Sequence, residues 1–224
     1  MQLDILYEDN HLLIVNKRPG QITQGDATGD KPMGDYVAEY LKQKYNKPGN
    51  VFVGIPHRLD RPTSGIVIFA RTSKGLSRMT ELFKKREIKK TYWAVTQEKP
   101  KEQSAKLVDW LKKNPKQNKS YAVAEGTDGA QRAVLNYTYL RSTERYHLLE
   151  IDLETGRHHQ IRAQLANLGL HIKGDLKYGA SRPNKDRSIH LHSRSVSFTH
   201  PIKKIEVNVT ASPPDDPVWN AVNQ

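Results

Sequence analysis

There is no cysteine in this chain, and that absence removes several chemistries at once. Disulfides, thiolate metal centres and a cysteine nucleophile are excluded. Acidic side chains are scarce as well: 24 Asp and Glu stand against 36 Lys and Arg, a formal net charge of +12. Long apolar runs are missing too. No segment approaches the roughly 20 apolar residues of a membrane span. Met1 to Asn10, with Asp4, Glu8 and Asp9, lacks the apolar core of a signal peptide. The expectation is a soluble, cytoplasmic protein. Hydrophobic residues are only 36%, yet apolar segments recur along all 224 residues. That pattern describes a folded chain with a very polar surface rather than a disordered one. A balance this basic points to a polyanionic partner, nucleic acid ahead of an anionic membrane. A basic surface that serves only solubility is the plainer alternative.

What is present alternates between short strands and a few helices. His11 to Asn16 is apolar and stopped by Lys17-Arg18-Pro19-Gly20, which predicts a buried strand and a turn. Gln21 to Lys31 is a polar, Gly-rich loop. Val37, Tyr40, Leu41 and Tyr45 recur at helical spacing within Asp35 to Tyr45. Ile66 to Ala70 is a continuous apolar run after an irregular loop, the pattern of a strand covered on both faces. Ser73 caps a helix lined by Leu76, Met79, Leu82 and Phe83, with Lys84-Lys85-Arg86 at the end where cations are favoured. Strands follow at Lys90 to Thr96, Ala133 to Leu140, Tyr146 to Leu153, Ile189 to Phe198 and Ile205 to Thr210. A Lys-rich stretch from about Lys99 to Lys119 is expected to be an exposed excursion. Thr155-Gly156 opens a helix with Ile161, Leu165 and Leu168 on one face and Gly169 at its end. The fold class is α+β with a mixed, largely antiparallel central sheet, in a single domain of residues 1–224.

Asp60 stands out chemically. It lies in His57-Arg58-Leu59-Asp60-Arg61-Pro62-Thr63-Ser64-Gly65, just before the buried strand. Flanking cations keep a carboxylate ionised, and an ionised carboxylate in a pocket acts as nucleophile or base. Thr63 and Ser64 are expected to bond backbone amides, and Gly65 to take an unusual backbone angle or permit close approach. A structural Asp in an ordinary turn fits the local pattern equally well. Arg162, at the border of the predicted helix's buried face, needs an acidic partner if it is partly buried. On the strand from Lys90, Tyr92 shares a face with Ala94 and Thr96, and it offers an aromatic plane for a base or simply fills a core. The histidines at 158, 159, 171, 190, 192 and 200 lack companion carboxylates at metal-site spacing. They are read as solvent- or RNA-facing, with no metal expected.

These stretches together resemble the RluA family of RNA pseudouridine synthases. His57-Arg58-Leu59-Asp60-x-x-Thr63-Ser64-Gly65 is similar to the family's signature almost letter for letter. Lys90-x-Tyr92-x-Ala94 and Thr155-Gly156-Arg157-x-His159-Gln160-Ile161-Arg162 follow in the family's order. Leu6 to Asp9, Asn16 to Gly20, Gly174-Asp175 and Leu191-His192-Ser193 resemble further family stretches, with an Arg between Lys17 and Pro19 as a small departure. The resemblance implies Asp60 as catalytic carboxylate, Tyr92 as the aromatic that stacks on the target base, and Arg162 as the basic partner of the aspartate. It implies substrate contacts from Arg58, Leu59, Arg157, His159 and Gln160. It also implies a helix-flanked sheet with a central RNA-binding cleft, no S4 module ahead of it, and no cofactor. Lys84, Lys85, Arg86, Lys89 and Lys90, with the lysines between Lys99 and Lys119, are candidates for contact with the RNA backbone.

Pseudouridine formation breaks the N1–C1′ bond of uridine, turns the base and rejoins it through C5, so the uridine must leave its stack. Asp60 could attack the sugar, add to C6 or abstract a sugar proton; the sequence does not separate these. A non-catalytic RNA-binding or ribosome-assembly factor on the same fold is the alternative. A glycosidase needs paired carboxylates and a two-metal nuclease needs an acidic cluster, and Asp60 has neither in its motif. Ribosomal RNA, transfer RNA or both are the expected partners, with Arg61-Pro62 resembling members that act on transfer RNA. A monomer is expected.

Overall fold

The computed structural model describes residues 2–26 and 28–223. The first and last residues, and Ala27 within the predicted 21–31 loop, lie outside them. In chain order the strands are β1 Ile5–Glu8, β2 Leu12–Lys17, β3 Ser64–Ala70, β4 Lys89–Thr96, β5 Ser104–Asn114, β6 Lys119–Val123, β7 Gln131–Ser142, β8 His147–Leu153, β9 Leu191–Thr199 and β10 Glu206–Thr210. The helices are α1 Met33–Lys44, α2 Ser73–Lys85, α3 Gln160–Asn167 and α4 Pro217–Asn223. The α+β class holds. The chain forms two compact units. One takes in the residues up to Ile88 and Ser193–Pro213; the other takes in Lys89–His192 and the residues from Pro214 on.

In the first unit the strand order is β1-β2-β3-β9, with β10 antiparallel on β9. β2 and β3 pair antiparallel over six residues, from Leu12 opposite Ala70 to Lys17 opposite Gly65. Every residue of β3 is buried, as its unbroken apolar run predicts. Leu12 and Ile14 share one core with Ile66, Ile68, Met79, Val196 and Phe198. Alternation puts Leu13, Val15 and Lys17 on the opposite face of β2, and all three are buried. The N-cap of α2 is Thr72 and not Ser73: its hydroxyl accepts from Gly75 N at 3.0 Å, and Ser73 is the first helical residue. The short β1 is not among the strands that periodicity predicts, because four half-buried residues give little alternation to read.

The second unit carries the antiparallel order β4-β8-β7-β5-β6. β5 corrects the expectation of an excursion between Lys99 and Lys119. Eight residues of β5 pair with β7, and its lysines, Lys106, Lys112 and Lys113, are exposed on a regular strand. Val95, Leu148, Trp219 and Val222 form one core cluster; Leu111, Ala133, Ala163 and Tyr178 form another. Gly169, at φ +79°, ends α3 as predicted, but Leu168 turns outward and is 48% exposed.

Gly65 is the tightest point of the first unit. Its φ is +109°, and a Cβ there would lie 2.3 Å from the Ser193 carbonyl oxygen. Gly65→Ala is therefore expected to cost more than about 3 kcal/mol, because strain and a clash with backbone add. Gly20→Ala, at φ +84° with open space around the new methyl, is expected to cost about 1 kcal/mol. Denaturant midpoints of the two variants check the difference.

Candidate active site

The loop that carries Asp60 is held by its main chain. Asp60 O accepts from Thr63 N at 3.1 Å, which closes the turn. The next carbonyl, Arg61 O, accepts from Gly20 N at 2.8 Å and from the Lys17 ammonium at 3.1 Å. On the near side Leu59 N and O lie 3.4 Å from the Thr23 hydroxyl. His57 Nε2 accepts from Ile68 N at 2.9 Å, so its proton sits on Nδ1, and its ring packs on Phe83 with centroids 4.6 Å apart. The Arg61 guanidinium turns to Asp30 and to Thr28 Oγ1. Thr63 departs from expectation: its hydroxyl is buried without a hydrogen-bond partner, and backbone bonds fix the loop instead. Of the two proposed substrate contacts here, Leu59 is buried and Arg58 is exposed.

Lys17 is the residue that sequence reasoning missed. It is 1% exposed, and its ammonium donates to the carbonyls of Arg18 and Arg61, both at 3.1 Å. Burial pushes it down to about 7; the Asp60 carboxylate opposes that shift and the Arg61 charge adds to it. The available signal was strand parity, since Leu13 and Val15 put position 17 on a buried face.

In the second unit Tyr92 lies on β4 opposite Ile151 of β8 and is 8% exposed. Arg162, on α3, is 5% exposed. It has the acidic partner its burial requires: Nε and NH2 reach the two oxygens of Asp175 at 2.7 and 2.8 Å. Its guanidinium lies 5.0 Å from the centre of the Tyr178 ring, and the Lys119 ammonium lies 4.9 Å from the same ring. Gly174 sits at φ +87°, and a Cβ there would meet Ser188 O at 2.7 Å, so a side chain is excluded at the position before Asp175.

The segment before α3 is wired differently from expectation. Thr155 does not cap the helix, which begins at Gln160 with His159 before it at φ +52°. The Thr155 hydroxyl accepts from Val134 N at 2.8 Å and donates to Gln160 Oε1 at 2.7 Å. Gln160 Oε1 also accepts from Arg157 N at 2.9 Å, while Nε2 donates to Val134 O and Gln164 Oε1. The Arg157 side chain donates to Arg132 O at 3.1 Å. His159 stacks on His158 at 3.8 Å and meets the Tyr178 hydroxyl at 3.1 Å.

Lys84 and Lys85 close α2, Arg86 follows it in the left-handed region, and these three are exposed with Lys89. Lys85 pairs with Glu81 at 3.1 Å, and Lys90 is half-buried. The histidines are more buried than expected. His190, His192 and His200 are 3%, 0% and 0% exposed. His190 is held between Asn184 at 3.0 Å and Asp216 at 3.3 Å, and His200 lies 3.0 Å from Asp9. No group of three or more His, Cys, Asp or Glu converges as metal ligands among the described residues.

A family model described as RNA pseudouridylate synthase matches residues 11–167, which takes in the Asp60 loop, Tyr92 and Arg162. The chain belongs to the RluA family of RNA pseudouridylate synthases. It is 33% identical over 204 residues to an uncharacterized RNA pseudouridine synthase, YhcT, of Bacillus subtilis, covering 90% of this chain and 65% of that protein. It is 29% identical over 224 residues to ribosomal large subunit pseudouridine synthase D of Zymomonas mobilis, covering 96% of this chain and 70% of that one. It is 31% identical over 235 residues to tRNA pseudouridine synthase C of Vibrio vulnificus, covering 97% and 92%. Human RNA pseudouridylate synthase domain containing 4 has a similar structure, with a TM-score of 0.80 at 25% identity over 95% of this chain and 89% of that one. The chain thus spans about two thirds of the first two relatives and nearly all of the third.

For this member of the RluA family, the Arg162–Asp175 pair is the structural commitment to test. Removing one partner of a buried ion pair strands the other charge, at a cost of about 3–5 kcal/mol. Asp175→Ala is expected to lower stability by that amount. Asp175→Ala with Arg162→Met is expected to regain part of the loss, which a double-mutant cycle on denaturant midpoints measures.

Proposed function

We propose that this chain is an RNA pseudouridine synthase, an isomerase that converts uridine to pseudouridine in ribosomal or transfer RNA. The carrying observation is Asp60. It stands in the family's nine-position motif, on a loop whose adjacent carbonyls are fixed by Thr63, Gly20 and Lys17. A reacting carboxylate needs such a rigid seat, because displacement by about 1 Å can cost on the order of 100-fold in rate. The relatives named for ribosomal and for transfer RNA support the substrate class.

Residues 1–224 act as one catalytic domain in this reading. The uridine is flipped out of its stack, Tyr92 stacks against the base, and Arg162 is the cation that keeps Asp60 ionised. Arg58, Leu59, Arg157, His159 and Gln160 contribute to the substrate site, the last through the loop it orders. Lys84, Lys85, Arg86, Lys89 and Lys90 neutralise phosphates, so affinity falls as salt rises. The reaction needs no redox change or energy input, so no cofactor enters. The enzyme works as a monomer in the cytoplasm, where its RNA is. No helix among the described residues is long and apolar enough to cross a membrane.

The test is tritium release from RNA labelled at C5 of uridine, with ribosomal and transfer fractions assayed separately. Wild type is expected to release tritium from one fraction or both. Asp60→Asn is expected to release none while binding the same RNA with affinity within about threefold, since only a reacting group is changed. Wild-type turnover by Asp60→Asn would refute the assignment.

A further inference from the structure

The nine-position motif leaves two positions open after Asp60, and the first of them is Arg61. Its backbone is fixed, because Arg61 O accepts from Gly20 N at 2.8 Å. Its side chain turns away to the preceding loop. The guanidinium NH2 donates to Asp30 Oδ2 and, at 3.0 Å, to Thr28 Oγ1. Thr28 in turn donates its hydroxyl and its amide to Asp26 Oδ1, and the Arg61 charge acts on Asp26 as well. Arg61 Nε is buried and has no hydrogen-bond partner among the described residues. Asp30 thus engages one nitrogen of a group whose planar fork suits an oxyanion held by two. The pair also stands in water, with the Arg61 side chain 38% and the Asp30 side chain 61% exposed. An ion pair this wet contributes little net free energy, so a better-matched anion exchanges for it readily. In a chain of net charge +12, two carboxylates gathered around one cation beside the reacting residue are a notable use of scarce acid.

We propose that Arg61 binds a backbone phosphate of the substrate RNA, and that the Asp30 carboxylate holds that phosphate's place until RNA arrives. The proposal rests on the enzymatic reading above and extends it to a residue that reading leaves without a role. A uridine whose base is turned out toward Asp60 brings its flanking phosphates to the same loop. The side chain next to Asp60 is placed to meet one of them. A phosphate offers two oxygens to the fork, and its neighbours along the strand are held by the basic surface. Asp30 offers one bond in water, so the phosphate wins the exchange. Charge at the guanidinium is conserved, since one anion leaves as another takes its place. A polyanion that cannot present a phosphate at this point leaves Asp30 where it is and gains nothing from Arg61. The Arg61–Asp30 pair therefore selects RNA seated at the catalytic loop over RNA held elsewhere on the basic surface.

The experiment is a double-mutant cycle of Asp30→Asn and Arg61→Met. It reads Kd for bulk transfer RNA and for bulk ribosomal RNA at several salt concentrations, with kcat and KM for tritium release from the same fractions. Arg61→Met is expected to weaken binding of the fraction that is modified on the order of 10-fold, and to lower the slope of log Kd against log salt by about one. KM is expected to rise by the same factor, with kcat changed less than about threefold, because the contact is to the RNA backbone and not to the reacting atoms. Asp30→Asn is expected to tighten binding about two- to fivefold, the competition from an exposed pair being weak. In the Arg61→Met background Asp30→Asn is expected to change Kd by less than about 1.5-fold. A tightening that survives in the double variant reports a general loss of negative charge and overturns the proposal. Wild-type Kd and slope in Arg61→Met overturn it too. So does a loss of kcat at unchanged KM, which marks a residue that only shapes the loop. Both side chains reach the surface, so the variants are expected to fold, which thermal melting checks. Absence of tritium release by wild type would count against the enzymatic reading, while the Kd cycle would still decide whether Arg61 exchanges Asp30 for RNA.

Discussion

Everything proposed for this chain depends on keeping one loop still between two buried strands. β2 and β3 pair over six residues, and neither has a residue that faces water fully. The loop that leads into β3 inherits that rigidity through backbone contacts. Thr63 N closes the turn on Asp60 O, Gly20 N and Lys17 hold Arg61 O, and Gly65 comes so near Ser193 that only glycine fits. A carboxylate placed on a mobile loop would sample many orientations and be productive in few. Here the side chain rides on a backbone whose carbonyls, Asp60 O and Arg61 O, are already bonded, so its point of attachment is held.

The second constraint is the handling of buried charge. Arg162 is almost wholly removed from water, and its Nε and NH2 are bonded bidentately to Asp175. The Tyr178 ring lies against the guanidinium, and its hydroxyl bonds Ser120 and His159. A cation fixed in this way is held in one orientation by Asp175. Lys17 follows the same logic in the first unit with weaker compensation, and its lowered affinity for the proton is the result. Such groups are costly to fold around, and their presence at a candidate site rather than in an ordinary core favours a functional explanation.

Much of the fold was legible because apolar patterning is a local property. The unbroken run of β3, the helical spacing in α1 and α2, and Gly169 after α3 all appear where periodicity and cap chemistry put them. β5 was not legible, because its Lys-rich composition masked an alternation of exposed and half-buried residues that runs only from Ser104 to Asp109. The cap of α3 was misplaced because Thr155 spends its hydroxyl on the Gln160 side chain and on Val134, which lies 21 residues earlier in the chain. Asp60, Tyr92 and Arg162 could be named from motif and charge. The Asp175 partner, 13 residues from Arg162, could not, because tertiary distance leaves no periodic trace in one sequence, whereas the inward turn of Lys17 was there to be read in strand parity. The burial of His190, His192 and His200 escaped notice because tertiary packing decides it.

The central claim is that a carboxylate on this loop isomerises uridine. Its most direct test is mapping pseudouridine in ribosomal and transfer RNA from cells that lack the chain, complemented either with wild type or with Asp60→Asn. The account predicts at least one position that is uridine in the deletion strain, becomes pseudouridine with wild type and stays uridine with Asp60→Asn. Identical pseudouridine maps in the deletion strain and the wild-type complement would contradict it.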